Sequence, residues 1–273
     1  MQTLAQVGDA EQVPLDIALL LDVSSSTSER FTFEKQAAAG FLKQVLRSSD
    51  RAAVYAISSK PKLEQALATA EQAATKLTAI PASTVATPTA FYDSVISAAR
   101  YLAQNVPPGR RRVILVISDG QDNFSDSIRE GEVAQVRAEA KGEKVPASAK
   151  ARQQALHQRA LAQVQREVQR ADAVFYAINP SSEGLRLNVI GTRAQEGMQQ
   201  LAEQTGGSAF LPERSENFVA VFRQIANELR AQYLLQYYSN GNAQSGAFLK
   251  IKVRVPTRTD LRVRARQGYY TKK

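Results

Sequence analysis

The chain has 273 residues, 44% hydrophobic and 22% charged, with a formal net charge of +9, a composition that builds a sizeable core and confines any disorder to segments. It holds no cysteine, which excludes disulfides, thiol catalysis and thiolate metal sites. A single histidine, His157, leaves a His-rich zinc centre or a Ser-His-Asp triad short of reagents, and in QALHQRALAQ it reads as a surface helix residue.

Lys and Arg interleave with Glu and Asp along most of the chain, so the basic excess reads as scattered rather than as a nucleic-acid surface. The exception is the run Lys250, Lys252, Arg254, Arg258, Arg262, Arg264 and Arg266. Its cations alternate with Ile251, Val253, Val255, Leu261 and Val263, as on the polar side of a half-buried sheet. Aromatics at RNA-recognition spacing are missing. No apolar run is long enough to span a membrane, and MQTLAQVGDAEQV lacks the basic start and apolar centre of a signal peptide, so the chain is expected to be soluble as it stands.

Taken in order, Gln2 to Val13 alternates weakly around a Gly8-Asp9 turn signal, which suits an edge hairpin or a frayed end. Leu15 to Asp22 (LDIALLLD) is a nearly unbroken apolar run, the pattern of a strand buried on both faces of a parallel sheet. It ends on Asp22, Ser24 and Ser26. In open α/β sheets ligands bind at the carboxyl ends of strands, so this hydroxyl-rich tip reads as the first loop of a metal site. Phe33 to Arg47 repeats apolar residues every four positions and predicts an amphipathic helix. Arg51 to Ser58 is a second short strand, and the Ala, Leu, Gln and Glu content of Leu63 to Ile80 predicts a helix.

Pro81 to Pro88 is a loop, after which Thr89 is placed to cap a helix (TAFYDSVISAARYLAQ) with Asp93 in its early turns. Arg111 to Asp119 (RRVILVISD) repeats the opening design and delivers a second carboxylate, Asp119, at a strand tip. The later part of the polar stretch from Ser127 to Ala171 predicts a long helix; the region from Gly131 to Pro146 fits either loop or helix. Ala173 to Asn179 is another buried strand, and Gln195 to Thr205 a helix stopped by Gly206-Gly207. Ser208 to Leu211 reads as a short strand, and Glu216 to Ala231 is an amphipathic helix.

Strands alternating with helices imply a Rossmann-like three-layer α/β/α fold around a mostly parallel sheet. From Gln232 onward QYLLQYYS, FLKIKVRVP and VRARQGYYT follow one another without helices. They are expected to pair antiparallel and to extend one edge of the main sheet.

Three loops at strand ends then converge, carrying Asp22, Ser24, Ser26, Thr89 and Asp119. Every donor is an oxygen, which selects a hard divalent cation: Mg2+ as the natural occupant, with Mn2+ and Ca2+ as competitors. The bland alternative keeps the fold without the ion, the hydroxyls capping helices and the aspartates bonding backbone amides. Against it, two carboxylates brought together would repel and raise each other's pKa without a cation. Asp93 reads as a supporting or capping acid, Asp122 as part of the loop rim, and Tyr92, Tyr237 and Tyr238 as packing residues.

DVSSS fits the DxSxS signature of von Willebrand factor type A domains, TAFYDSV resembles their threonine loop, and VILVISDGQDN resembles their third metal loop. LAEQTGG, IANELRAQYLLQYY and KIKVRVP followed by VRARQGYY further resemble the related proteins described from Acidobacteria and other bacteria. The resemblance implies a metal-ion-dependent adhesion site in which Asp22, Ser24, Ser26, Thr89 and Asp119 hold the cation and an Asp or Glu of a protein partner completes its shell. It also implies an extracytoplasmic location, although no export signal is visible. Departures are Ser25 and Thr87-Pro88 where glycines are common, and a longer polar insertion. The resulting division is an edge segment (1–13), the type A domain (14–231, with the insertion at 126–171) and a C-terminal β-extension (232–273). Function is expected to be cation-dependent protein binding without catalysis. The alternatives are a Mg2+-dependent phosphoryl-transfer or hydrolytic enzyme, which lacks a Gly-rich phosphate loop and a general base, and a metal-free assembly domain.

Overall fold

The first strand, β1 (Leu4–Asp9), stands apart from the main sheet, and the apolar run after it forms β2 (Leu15–Asp22), the centre of the molecule. The computed structural model describes residues 2–9, 12–24, 29–83, 87–143, 148–180, 188–212, 217–238, 244, 246–258, 260 and 263–271. From Leu15 to Leu21 every residue of β2 is at most 1% exposed. Such burial requires apolar neighbours on both faces, and each fully buried Leu or Ile contributes roughly 1.5–3 kcal/mol.

Helix α1 (Glu29–Val45) leads to β3 (Arg51–Ile57), which runs parallel to β2 with Leu19 opposite Val54. β4 (Lys62–Ala68) then turns back antiparallel on β3, and α2 (Ala70–Thr78) follows with a capping box between Thr69 and Gln72. The helix expected over Leu63 to Ile80 is thus divided. Its first half has helix-favouring composition, yet it completes the free edge of β3, where tertiary pairing outweighs propensity.

The chain continues through α3 (Phe91–Asn105), β5 (Arg111–Ile117), α4 (Asp126–Ala140), α5 (Ala149–Arg170), β6 (Ala173–Ile178), α6 (Val189–Thr205), β7 (Ala209–Phe210) and α7 (Asn217–Arg230). Six strands make one sheet in the order β4-β3-β2-β5-β6-β7, parallel apart from β4. Because side chains alternate along β2, Leu15, Ile17, Leu19 and Leu21 pack with α1, α2 and α7, while Ala18 and Leu20 pack with α3, α5 and α6. The region around Gly131, open between loop and helix in the sequence, is α4. Within the polar stretch, Leu156, Ala160, Val164 and Val168 of α5 belong to the core, so this helix is part of the outer layer.

The amino ends of the strands are closed by charge. Asp16 is fully buried between Arg51, at 2.7 Å, and Arg110. The C-terminal strands are antiparallel, as expected, but form two separate ladders instead of lengthening the main sheet. β8 (Tyr233–Tyr237) pairs with β1, and β9 (Phe248–Lys250) pairs with β10 (Gly268–Tyr270). The short β7 gives little edge to extend. The segment before β10 instead crosses the amino-terminal end of the sheet, held by Arg264 to Glu228, Arg266 to Asp172 and Gln267 N–H to the Gln204 carbonyl. That approach is why residue 206 is glycine: it ends α6 at φ +89, and a Cβ there would lie 3.1 Å from the Arg266 nitrogen. The Asn240-Gly241-Asn242 turn lies outside the described residues. Among the described residues no helix is long and apolar enough to cross a membrane.

Candidate metal centre

β2 and β5 are adjacent and parallel, so their carboxyl tips emerge side by side. At the first tip, Asp22 accepts the Ser24 N–H at 2.9 Å on one oxygen and the Ser118 hydroxyl at 2.6 Å on the other. Ser118 is fully buried at the end of β5, and its oxygen also accepts the Gly120 N–H at 3.0 Å. One hydroxyl therefore ties the two acidic tips together. Ser118 is not among the site residues expected from the sequence, where its place beside Asp119 is the one signal for it.

The threonine loop is pinned from both sides. The Ser24 carbonyl accepts the Thr87 N–H at 3.0 Å, and the Ser58 carbonyl accepts the Ala90 N–H at 2.8 Å. On the other side the Thr89 N–H donates to the Asn123 side-chain oxygen at 2.8 Å, while the Thr89 carbonyl accepts the N–H groups of Asn123 and Phe124. The loops of Asp22 and Ser24, of Thr89, and of Asp119 thus meet at one rim. Ser26 lies outside the described residues.

The donor chemistry fits a hard cation. Burial raises the pKa of Asp119, the Gln121 N–H opposes the rise, and the charge of Asp22 adds to it. That is the condition of an acid lacking a counter-charge. The Thr87 hydroxyl oxygen is buried without a hydrogen-bond partner among the described residues. Among the described residues no group of three or more His, Cys, Asp and Glu could hold a metal ion, so an ion here relies on hydroxyls beside the two carboxylates.

Three local expectations change. Thr89 does not cap α3: the first residue outside that helix is Ala90, and no side chain of that residue caps the turn. The helix start is served by Asp122, which is 7% exposed rather than at the loop rim. Its carboxylate accepts the N–H groups of Tyr92 at 2.7 Å, Phe124 at 3.2 Å and Ser125 at 3.0 Å, together with the Ser125 hydroxyl. A carboxylate at a helix N-terminus satisfies orphan amides and complements the dipole, leaving the Thr89 side chain without a capping task. Asp93 is a cap, as expected, but of α4, through the Asp126 N–H at 2.8 Å.

His157 is half-buried rather than on the open surface. Its Nδ1 is 3.0 Å from the Tyr92 hydroxyl, and burial lowers its pKa, as does Arg193, against the charge of Glu132. On the other side of the sheet, Glu34 of α1 is 7% exposed. Burial pushes its pKa up to about 7, opposed by Arg30 at 3.2 Å and assisted by the charge of Asp22.

The family model for the von Willebrand factor type A domain matches residues 16–210. No curated protein sequence matches the chain. Among solved structures, a von Willebrand factor type A protein from Catenulispora acidiphila superposes with a TM-score of 0.54 at 13% identity, over 80% of this chain and 43% of that one. The PilB minor pilin of Streptococcus sanguinis gives 0.54 at 10% identity, over 80% and 61%. Proximal thread matrix protein 1 from the mussel byssus, in a structure described as having a zinc-occupied MIDAS motif, gives 0.50 at 13% identity, over 82% and 47%. The chain therefore spans less than two thirds of each of these proteins, and likeness at such identities is likeness of fold. With the family model covering most of its length and the rim loops in their expected order, the chain belongs to the von Willebrand factor type A family.

Proposed function

We propose that this protein is a divalent-cation-dependent protein-binding module without catalytic activity. In this reading Asp22, Ser24, Ser26, Thr89 and Asp119 hold the ion and an Asp or Glu of a partner protein completes its shell. The observation that carries the proposal is the tie between the two acidic tips through Ser118. It fixes Asp22 beside a loop whose own acid has its pKa raised by burial and by the charge of Asp22. Fixed carboxylates to which no cationic side chain is bonded among the described residues are what a cation site requires and what a scaffold would avoid.

An all-oxygen donor set favours Mg2+, with Mn2+ and Ca2+ as alternatives. The zinc described for the mussel protein fits divalent chemistry at such a rim, though oxygen donors alone give zinc little advantage. A partner would be met outside the cytoplasm, the location the family resemblance implies. The test is capture of partner proteins on the immobilised chain with Mg2+ or with EDTA, alongside Asp119→Ala. Capture that needs the cation and is lost in the variant supports the reading. Capture unchanged by both removes the metal from the mechanism.

A further inference from the structure

We propose that the outer edge of β9, with the extended segment through Arg254, is a docking strand for an acidic, extended peptide segment of a protein partner. The surface is separate from the cation rim. It belongs to the C-terminal ladders, which are anchored at the opposite, amino-terminal end of the sheet strands through Gln204, Asp172 and Glu228.

The charge of the whole chain is concentrated here. Residues 232–273 hold nine Lys and Arg against the single Asp260, so they supply +8 of the net +9. The cations are not equivalent. Arg258 is paired with Asp260, Arg264 with Glu228 and Arg266 with Asp172. Lys250, Lys252 and Arg254 make no ion pair with any described residue, and all three are exposed, while Leu249, Ile251 and Val253 between them are half-buried. Alternate residues of an extended strand lie about 7 Å apart on one face, and the alternation of half-buried and exposed residues from 249 to 254 puts the three charges on one side of the segment.

The backbone beside that row is open as well. Leu249 pairs with Tyr269, the Thr271 N–H donates to the Ala247 carbonyl, and the Ile251 N–H donates to the Gln267 carbonyl at 2.8 Å. Leu249, the Ala247 carbonyl and the Ile251 N–H therefore face β10, while the Ala247 N–H turns to the Gln244 carbonyl. In an antiparallel pair the intervening residues, Phe248, Lys250 and Lys252, turn their peptide groups the other way, where no described strand receives them. An added strand would find a hydrogen-bonding edge and a matching ladder of positive charge in one register.

Both features select the occupant. Cations on an edge repel a second copy of the same edge, because like charges directly opposite destabilise pairing. A strand with Asp or Glu at every second position would instead place each acid opposite a cation. Nucleic acid or an anionic membrane would answer the charge but leave the peptide edge unused.

The test uses the full chain in EDTA, which silences the rim, and a fluorescently labelled peptide of alternating Thr and Glu. Its controls are a peptide of the same composition with the Glu residues in one block, and the alternating peptide N-methylated at every second amide. The alternating peptide is expected to bind with strong salt dependence, and both controls at least about tenfold more weakly. Removing the three charges in K250Q/K252Q/R254Q is expected to weaken binding of the alternating peptide by about tenfold. Lys252→Glu is a second variant should the triple one alter the melting curve. Equal binding of either control peptide overturns the proposal, as does full affinity in the charge variants. So does failure of the alternating peptide to bind, including when single-stranded oligothymidylate or phosphatidylglycerol vesicles bind in its place.

Discussion

At the scale of single residues, the rim depends on groups that are not themselves ion ligands. Ser118→Ala removes the hydroxyl that fixes Asp22, at a stability cost of about 1 kcal/mol. Its larger effect is expected in titrations of Mg2+, where affinity falls while the circular dichroism spectrum stays unchanged. Glu34 makes a second prediction. Its pKa of about 7 in the folded protein lies above the ordinary 4.5, so the folded state binds the extra proton between those values. Stability is then highest below about pH 4.5 for this group's share, falls as pH rises toward 7, and is flat above. Glu34→Gln should remove that decline and stabilise the protein at pH 8 by up to about 3 kcal/mol, less the lost Arg30 pair. Urea denaturation at pH 5 and pH 8 measures it; an unchanged slope between the two would show that the carboxyl is not held in its neutral form.

At the scale of elements, the buried carboxylate of Asp122 joins the third loop to the start of α3, and Tyr92 carries the connection on to His157 of α5. Asp122→Ala leaves the Tyr92 and Ser125 backbone N–H groups and the Ser125 hydroxyl without their acceptor, while the Phe124 N–H keeps the Thr89 carbonyl, so a loss of about 2–4 kcal/mol in chemical denaturation is expected. Tyr92→Phe, which removes only the hydroxyl contact, should cost about 1 kcal/mol. These links were hidden in the sequence because each is tertiary: Asp122 is thirty positions from the amide it caps, and His157 is sixty-five from Tyr92. The strands β2 and β5 were legible because burial on both faces leaves an almost uninterrupted apolar run, and the places of Asp22 and Asp119 at their carboxyl tips follow from those strands. β4 was not, since Ala, Leu and Gln carry a helical preference that only the exposed edge of β3 overrides.

At the scale of the molecule, the two ends of the parallel sheet differ in chemistry. The carboxyl ends gather acids and hydroxyls at Asp22, Ser24, Thr89 and Asp119; the amino ends carry buried Asp16 with its arginines and, fastened beneath, the basic C-terminal ladders. The antiparallel character of those ladders was readable from the absence of helices after Gln232. Their separation from the main sheet depends on anchors such as Arg266 to Asp172, which no local pattern reveals. With the acidic rim and the basic ladders at opposite ends of the sheet, K250Q/K252Q/R254Q should leave cation affinity unchanged.

The central claim is most directly tested by isothermal titration of the chain with Mg2+ and Mn2+, beside Asp119→Ala. One saturable site is expected in the native chain and none in the variant, with affinity falling as pH falls, since the raised pKa of Asp119 favours its protonated form. Absence of binding in the native chain, or equal binding in the variant, would contradict that claim.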